Sequence, residues 1–359
     1  MSENRVAVAR GASPLSYPFA CLPEQGRLLP VRPGVYWIRM PLPYALNHIN
    51  LWAISDGRGW TVVDTGICAP STLGVWAELL ANWPDARPIT RIIATHMHAD
   101  HVGLAGWFAE QHGCHLWMSR LDYLNSRLTV AEANSPTSVE VTDFYRRAGW
   151  GGEALAAYHG GRARYASQIH RLPEGYRRLE DGEEIVIGEH RWRVIVGTGH
   201  SPEHVCLYCP ELALFISGDQ VLPRITSNIS TYASEPEADP LADWYASLAK
   251  LGQAVPDDVL VLPSHNQCFF GLHARLEQLR VSADGGLASL RQALRQPLRV
   301  VDTFEALFSR PITESNGGLL RMATGEAISH LNFLLRRGEI ECDFDERGVA
   351  WYRLGNSLE

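Results

Sequence analysis

Short apolar runs alternate with amphipathic segments along most of the chain. Runs rich in β-branched and aromatic residues predict strands, and two of them, LWAIS and WTVVD, flank the turn sequence DGRG, which predicts a hairpin. Apolar residues at helical spacing predict helices over 70–82, 102–112 and 239–251. The other predicted strands are 35–40, 91–95, 115–118, 192–196, 212–217 and 258–264. This mixture indicates a layered α/β fold.

Several predicted strands lead directly into residues that can bind a metal ion. RIIAT runs into His96, WRVIV leads through GTG to His200, and LALFIS leads through a glycine to Asp219. DVLVLPS leads to His265 in the same way, and WTVVD ends at Asp64 in the sequence DTG. We therefore expect a metal site along one edge of the sheets.

The stretch ATHMHADHVG is the densest group of such residues, with His96, His98, Asp100 and His101 in one short loop. A chance match to this pattern is expected about once in a thousand chains of this composition. Imidazole and carboxylate are ligands for zinc and similar divalent ions. In an extended segment His96 and His98 point to the same side and can share one ion, whereas Asp100 and His101 could reach a second. The stretch indicates a two-metal site.

Composition excludes several other classes of protein. The chain has 359 residues, of which 46% are hydrophobic, which is enough for a sizeable core. No apolar run approaches the ~20 residues needed to span a bilayer and no export signal is recognisable, so we expect a cytoplasmic protein without a membrane partner. The seven cysteines are scattered, unlike a disulfide framework. A net charge of −8 argues against a nucleic-acid partner.

The motifs THMHADHVG, TGHSPEH, SGD and PSH, in this order and each after a strand, resemble the metallo-β-lactamase superfamily of αββα sandwich hydrolases. The resemblance covers roughly residues 30 to 270. It implies two divalent metal ions per chain, zinc in the first place with iron or manganese as alternatives, and no organic cofactor. It assigns His96, His98 and His200 to the first ion and Asp100, His101 and His265 to the second. Asp219 would bridge the two ions, and Asp100 and Asp219 would be the catalytic carboxylates.

Six further residues are candidates for supporting the ligands or contacting substrate. The resemblance places Asp64 beneath the site, where its carboxylate would orient ligands. We expect His204 to lie behind the ligands or on the surface, and a change to alanine there to be mild. His48 could line the pocket mouth. The remaining candidates are Asn228, Arg146 and Arg147.

The ligand set also narrows the range of reactions that the site could catalyse. Two ions ~3.5–4 Å apart can lower the pKa of a shared water, present hydroxide as the nucleophile and polarise the substrate. The set resembles that of glyoxalase II, lactonases, acyl thioesterases and certain nucleases. The leading hypothesis is a hydrolase of a thioester or ester, with an acyl-CoA-like compound, a glutathione thioester or a lactone as small-molecule substrate. The alternatives are a phosphodiesterase or ribonuclease of the same superfamily, and a non-enzymatic regulator that uses a winged helix.

Two regions lie outside the motifs. A helical, aromatic insertion at about 119–178 predicts a lid, and residues 118–178 carry nine arginines against six acids, or 9 − 6 = +3. Its arginines could bind an anionic acyl thioester, although the insertion could instead pack on the sandwich or on a second copy in a homodimer. Residues 271–359 predict helices and then a helix over 323–336 with a hairpin around DERG, which resembles a winged helix. We thus expect an N-terminal extension (1–30), a catalytic domain (31–270) and a C-terminal domain (271–359).

Overall fold

The computed structural model describes residues 15–313 and 316–355, apart from the side chains of residues 159 and 160. Residues 1–14 of the expected N-terminal extension lie outside this part of the chain. The remainder of the extension enters the fold at Ser16, which pairs with Phe270 in an isolated bridge.

The first sheet has seven strands, which lie side by side in chain order. The strands up to the fourth pair antiparallel and the later ones pair parallel. The turn DGRG joins the third and fourth strands with Asp56 opposite Gly59, which confirms the predicted hairpin. The strands are β1 (Leu29–Arg32), β2 (Val35–Pro41), β3 (His48–Asp56), β4 (Gly59–Val63), β5 (Ile89–Ile93), β6 (His115–Met118) and β7 (Arg177–Arg178).

The second sheet has five strands in the order β12-β11-β10-β9-β8. Only β11 and β12 pair parallel within it. The strands are β8 (Glu184–Ile187), β9 (His190–Gly197), β10 (His204–Cys209), β11 (Leu214–Gly218) and β12 (Leu260–Pro263). A separate hairpin near the C-terminus pairs β13 (Ile340–Phe344) with β14 (Ala350–Leu354).

The helices occupy the outside of the two sheets and the C-terminal region. They are α1 (Pro70–Ala81), α2 (Ala99–Val102), α3 (Ala105–His112), α4 (Arg120–Ala131), α5 (Val139–Arg147), α6 (Gly152–Ala166), α7 (Pro240–Ala254), α8 (Leu272–Ala293), α9 (Phe304–Leu307) and α10 (Gly317–Arg336). A short 3₁₀ helix, Val300–Thr303, precedes α9. Helices α4, α5 and α6 form the predicted insertion.

Three apolar clusters show the order of the layers. Between the sheets, Trp37 and Trp52 from the first sheet meet Trp192 from the second, and all three are fully buried. On the outer face of the first sheet lie Trp76 and Phe108, from α1 and α3. The outer face of the second sheet shares one cluster with α7, α8, α10 and the C-terminal hairpin. This order of helix, sheet, sheet and helix confirms the predicted αββα sandwich.

Some helix boundaries differ from the prediction. The helix expected over 102–112 begins only at Ala105, as α3, because the preceding ligand loop closes into the separate short helix α2, which ends at Val102. Helix α10 begins at Gly317 rather than at 323, since the Asn316 side chain accepts a hydrogen bond from the Leu319 amide and caps it. The hairpin after α10 is present as expected, while the winged-helix resemblance stays a prediction.

No helix in the described ranges combines the length and the apolar character needed to cross a membrane.

Candidate metal centre

All seven metal ligands suggested by the sequence come together where strands of the two sheets end. Their ligand atoms form overlapping groups in which the atoms lie within 4.8 Å of one another. These groups are His96 with His98 and His200, His96 with His101 and Asp219, and Asp100 with His101 and His265. A single space is therefore surrounded by five imidazoles and two carboxylates.

The first group is an imidazole triad. The His96 Nε2 atom lies 2.8 Å from Nδ1 of His98 and 3.2 Å from Nε2 of His200. Because β5 ends just before His96 and an extended backbone follows, side chains two residues apart point to the same side. Three nitrogen atoms thus converge in the arrangement that a divalent ion of the zinc type requires.

The second group is held together by carboxylates. One oxygen atom of Asp100 lies 3.5 Å from the Nε2 atom of His265 and 3.8 Å from that of His101. Asp219 lies between the two groups. Its Oδ2 atom is 3.5 Å from the Nε2 atom of His200 and 3.6 Å from that of His101. Its Oδ1 atom is 3.5 Å from the Nε2 atom of His265. One carboxylate is thereby placed to reach both groups of ligands.

Hydrogen bonds on the far side of three imidazoles aim their Nε2 atoms into the site. The Nδ1 atom of His101 lies 2.8 Å from the Asp64 carboxylate, that of His200 lies 2.8 Å from the backbone oxygen of Asn228, and that of His265 lies 2.9 Å from the backbone oxygen of His48. Each partner is an acceptor, so each Nδ1 atom carries the proton and each Nε2 lone pair is free for a metal ion.

Electrostatics in the cluster also suit metal binding. Burial, with the neighbouring imidazoles, lowers the pKa values of His96 and His98 well below their usual range. Burial raises the pKa of Asp219, but His265 and His101 lower it by more, so its carboxyl group is ionised. Burial lowers the pKa values of His101 and His265, but the neighbouring carboxylates raise them by more, so these two imidazoles release a proton when a cation binds.

Two buried polar atoms of the cluster test whether a cation fits. The Nε2 atom of His101 and the Oδ1 atom of Asp219 are buried, and neither forms a hydrogen bond within the described residues. Buried polar groups are rarely left in this state unless something else satisfies them. A lone pair and a carboxylate oxygen that face one cavity are satisfied by a metal ion, and the residues present therefore fit the cations that the sequence implies.

Asp64 supports the ligand loop as well as His101. Its Oδ1 atom accepts a hydrogen bond of 2.8 Å from the Thr95 amide, and the Thr95 hydroxyl donates to the same carboxylate. Asp64 has a φ of 60°, a left-handed conformation that costs an ordinary residue about 1 kcal/mol. The residue thus lies beneath the site, where the sequence placed it, and the strained turn aims its side chain at the ligands.

Asp122 is a supporting residue that the sequence did not reveal. This buried carboxylate, from α4, accepts hydrogen bonds from the Met97 amide at 2.9 Å and the Glu203 amide at 2.7 Å. Met97 lies between two of the ligands and Glu203 follows His200 by three residues, so Asp122 ties both ligand loops together. No local signal marks the residue, because its partners come from distant segments.

His204 lies behind the ligands and is fully buried. Its Nε2 atom accepts a 3.0 Å hydrogen bond from the Asp219 amide, and its ring stacks on His96 with 4.7 Å between centroids. A side chain at Gly218 would approach the His204 ring to 2.4 Å, and Gly218 has a φ of 54°, so only glycine fits there. His204 was expected either behind the ligands or on the surface, and the structure places it behind the ligands.

His48 and Asn50 hold the loop that carries His265. The Nε2 atom of His48 accepts a 2.9 Å hydrogen bond from the Asn266 amide, and Asn50 donates to the backbone oxygen atoms of Pro263 and Asn266. His48 is 7% exposed, so its role is to support this loop more than to line an open pocket mouth. Asn50 gave no sequence signal.

Asn228 connects the ligands to the C-terminal region. Its backbone oxygen accepts the hydrogen bond from Nδ1 of His200. Its side-chain amide donates to the Glu326 carboxylate at 2.6 Å and to the Met322 backbone oxygen at 3.3 Å. Both partners are in α10. Asn228, one of the candidates from the sequence, thus joins the ligand His200 to α10.

Arg146 and Arg147 contact the C-terminal hairpin. Arg146 pairs with Asp143 at 3.0 Å and donates to the backbone oxygen of Arg347, and Arg147 lies 5.8 Å from the centroid of the Phe344 ring. Neither arginine has a contact with a ligand side chain among the described residues. These contacts do not support the expected role in binding substrate, because both guanidinium groups already have partners elsewhere.

Comparisons with known proteins agree with this geometry. Residues 45–265 match the metallo-beta-lactamase superfamily, and residues 287–355 match the metallo-beta-lactamase-like, C-terminal domain. A beta-lactamase domain protein from Burkholderia ambifaria has a similar crystal structure, with a TM-score of 0.87 and 38% identity over 95% of this chain and 98% of that one.

Two curated relatives are more distant in sequence. The probable metallo-hydrolase YqjP of Bacillus subtilis (strain 168) is 22% identical over 83% of this chain and 91% of its own length. The acyl-coenzyme A thioesterase MBLAC2 of Gallus gallus is 26% identical over 67% of this chain and 80% of its own length. Since the family match covers more than half of the chain and carries the ligand cluster with it, the chain belongs to the metallo-beta-lactamase superfamily.

Proposed function

We propose that this protein is a dinuclear metal-dependent hydrolase that cleaves a thioester or an ester. The observation that carries the proposal is the set of seven ligand atoms around one space, with Asp219 between its two halves. In this proposal His96, His98 and His200 hold one ion, Asp100, His101 and His265 hold the other, and Asp219 contacts both. Zinc is the first choice, with iron or manganese as alternatives.

The ions would supply a water activated near neutral pH and a Lewis acid for the carbonyl oxygen of the substrate. The chain's own residues supply the geometry. Asp64 and the backbone oxygens of Asn228 and His48 fix the protons of three imidazoles on their outer nitrogen atoms. Asp100 and Asp219 would orient the attacking water and receive its proton, which is the catalytic role proposed for both carboxylates.

The choice of an acyl substrate has separate support. The relative from Gallus gallus is an acyl-coenzyme A thioesterase. The net charge of −8 disfavours a nucleic-acid substrate, so a phosphodiesterase or ribonuclease is the second candidate. An intact ligand set also argues against a regulator without enzymatic activity.

The test is a substrate panel with metal-depleted and reloaded protein. It contains acyl-CoA thioesters, glutathione thioesters, homoserine lactones and generic phosphodiesters. We expect about two ions per chain by elemental analysis, and metal-dependent turnover of an acyl substrate. Absence of metal uptake, or turnover confined to phosphodiesters, would refute the proposal.

A pair of variants tests where the metal ions bind. His98→Ala should remove metal and activity together. His190→Ala is the matched control, because His190, Cys209 and Glu211 form another group that could hold a metal at the surface. Loss of metal in the control alone would move the site there and contradict the assignment.

A further inference from the structure

The guanidinium group of Arg321, in α10, has no anionic partner. In the ranges 15–313 and 316–355 it forms neither a salt bridge nor a hydrogen bond, and it contacts the ring of Tyr165, with 5.5 Å from the guanidinium carbon to the ring centroid. Other arginines of the C-terminal region are paired, such as Arg291 with Glu339 and Arg337 with Asp239. Arg321 is half-buried, so it bears part of the cost of desolvation without compensation.

Tyrosines form the surroundings of Arg321. The Tyr165 ring lies beside its guanidinium group. Tyr145 packs on Tyr158 and on Trp150, whose indole bonds Thr324 in the same helix, and Tyr232 follows Thr231, whose amide bonds the Gly325 backbone oxygen. We call Tyr145, Tyr158, Tyr165 and Tyr232 the tyrosine wall. Phenols are neutral at physiological pH, so the wall surrounds the positive charge without neutralising it.

The tyrosine wall borders the metal centre. Tyr165 packs against the apolar cluster that includes Ala99 and Val102 of the ligand loop, and its ring centroid lies 5.5 Å from the Arg321 guanidinium carbon, so Tyr165 lies between the ligand loop and the arginine. The next residue of α10, Met322, accepts a 3.3 Å hydrogen bond from the side chain of Asn228, whose backbone oxygen holds the ligand His200. Tyr165 and Met322 therefore connect the position of Arg321 to the ligand loop and to the support of His200.

Packing holds Arg321 in this position. Three residues further along α10, the Thr324 hydroxyl accepts a 2.9 Å hydrogen bond from the Trp150 indole, and the Trp150 ring packs against Tyr145. On the other side of the helix, the Gly325 backbone oxygen accepts a hydrogen bond from Thr231, next to Tyr232. The guanidinium group is thus presented by a fixed helix between two other segments.

We propose that Arg321 binds an anionic group, a carboxylate, that the acyl part of the substrate carries within a few bonds of the scissile thioester or ester. The inference rests on the proposed function and adds the substrate class to it: carboxyacyl thioesters or esters. Arginine pairs with carboxylate through two parallel hydrogen bonds, which the four phenols leave available. The phosphates of a coenzyme A leaving group do not suit this site, because the pantetheine arm separates them from the thioester carbonyl.

The experiment compares paired substrates in Arg321→Met and wild-type protein, both loaded with metal. The substrates are succinyl, glutaryl and adipyl thioesters of N-acetylcysteamine, each paired with the thioester in which a methyl group replaces the carboxylate. We expect Arg321→Met to lose about 10- to 100-fold in kcat/KM on the best carboxylated substrate and less than about threefold on its neutral partner. Arg321→Lys should recover part of the loss. Equal losses on both members of each pair, or none, would overturn the inference.

Arg147→Met is the matched control. It removes the same charge from an exposed arginine that also lies over an aromatic ring, Phe344. It should leave both members of each pair unchanged. A selective loss on carboxylated substrates in this variant instead would assign the anion site to Arg147.

Binding measured by isothermal titration calorimetry tests the inference without any substrate turnover. Metal-loaded wild-type protein should bind glutarate about tenfold more tightly than pentanoate, and Arg321→Met should abolish this difference. The same ratio of affinities in both proteins would overturn the inference. If no ester or thioester is cleaved at all, the proposed function fails, and the calorimetric ratio still decides whether Arg321 binds an anion.

Discussion

The ligand cluster and the tyrosine wall lie side by side, but they are assembled from different parts of the chain. Each ligand follows a strand within a short motif, and its support comes from a few neighbouring backbone and carboxylate groups, as for His101 and Asp64. The wall combines tyrosines of α5 and α6 with Tyr232, which lies before α7, and its packing against α10 joins residues as far apart as Trp150 and Thr324. The chemistry is thus encoded locally, whereas the surface that would select substrates depends on long-range packing.

Replacement of Asp219 by alanine should have the largest effect of any change to the cluster. The substitution removes the one carboxylate placed between both ligand groups, so at least one ion should be lost and turnover should fall by about a thousandfold or more. Elemental analysis and steady-state kinetics measure both effects. Asp181→Ala, which removes an exposed carboxylate paired with Lys250, is the control. Full activity in Asp219→Ala would mean that the bridging assignment is wrong.

His204→Ala tests how far the support of the cluster extends, and here the structure reverses the mild effect expected from the sequence. The substitution leaves the Asp219 amide without its acceptor and removes the ring stacked on His96. We expect a loss of about 10- to 100-fold in metal affinity or activity. Metal titration and kinetics measure it, with His273→Ala as the control, since His273 bonds the Val255 backbone away from the ligands. If metal affinity and activity in His204→Ala equal those of the wild type, His204 only fills space behind the ligands.

The sequence predicted much of the ligand cluster for a physical reason. His96, His98, Asp100 and His101 follow one strand within six residues, so an extended backbone brings the first two together and the short helix α2 carries the other two beside them. Asp122 and Arg321 could not be found in this way. Asp122 accepts hydrogen bonds from amides 25 and 81 positions away. Arg321 is one of many arginines in the sequence, and only the fold shows that it is half-buried beside a tyrosine ring without an acidic partner among the described residues.

Glu326 joins the two regions, because its carboxylate receives the Asn228 side chain while the Asn228 backbone holds His200. Burial raises the pKa of Glu326 to about 7, against the opposing effect of the Asn228 hydrogen bond. The folded state therefore favours the protonated carboxyl group. Its contribution to stability is complete below the unfolded pKa of about 4.3 and is lost as the pH rises through 7.

Glu326→Gln should consequently gain stability relative to wild type between pH 5 and pH 8, by about 1–3 kcal/mol in the free energy of unfolding. Urea unfolding of the metal-loaded proteins at both pH values measures this change. Glu237→Gln makes the same substitution at an exposed position and should show no such gain. A difference between Glu326→Gln and wild type that does not change with pH would show that the carboxyl group does not titrate in this range.

The smallest effects should come from Arg146→Ala and Arg147→Ala, the two arginines for which the sequence predicted a substrate role. Arg146 pairs with Asp143 and bonds the hairpin backbone, while Arg147 lies over Phe344, so both guanidinium groups contact other partners than the expected anionic substrate. Exposed ion pairs and cation–π contacts contribute about 0.5–1 kcal/mol each. We expect losses of that size in the free energy of unfolding and changes of less than about twofold in KM for neutral and anionic thioesters alike. Chemical denaturation and parallel kinetics on the paired substrates measure both quantities. A rise in KM confined to the anionic substrates would restore the lid interpretation, and it would mean that substrate selection reaches from the tyrosine wall across the insertion to the hairpin.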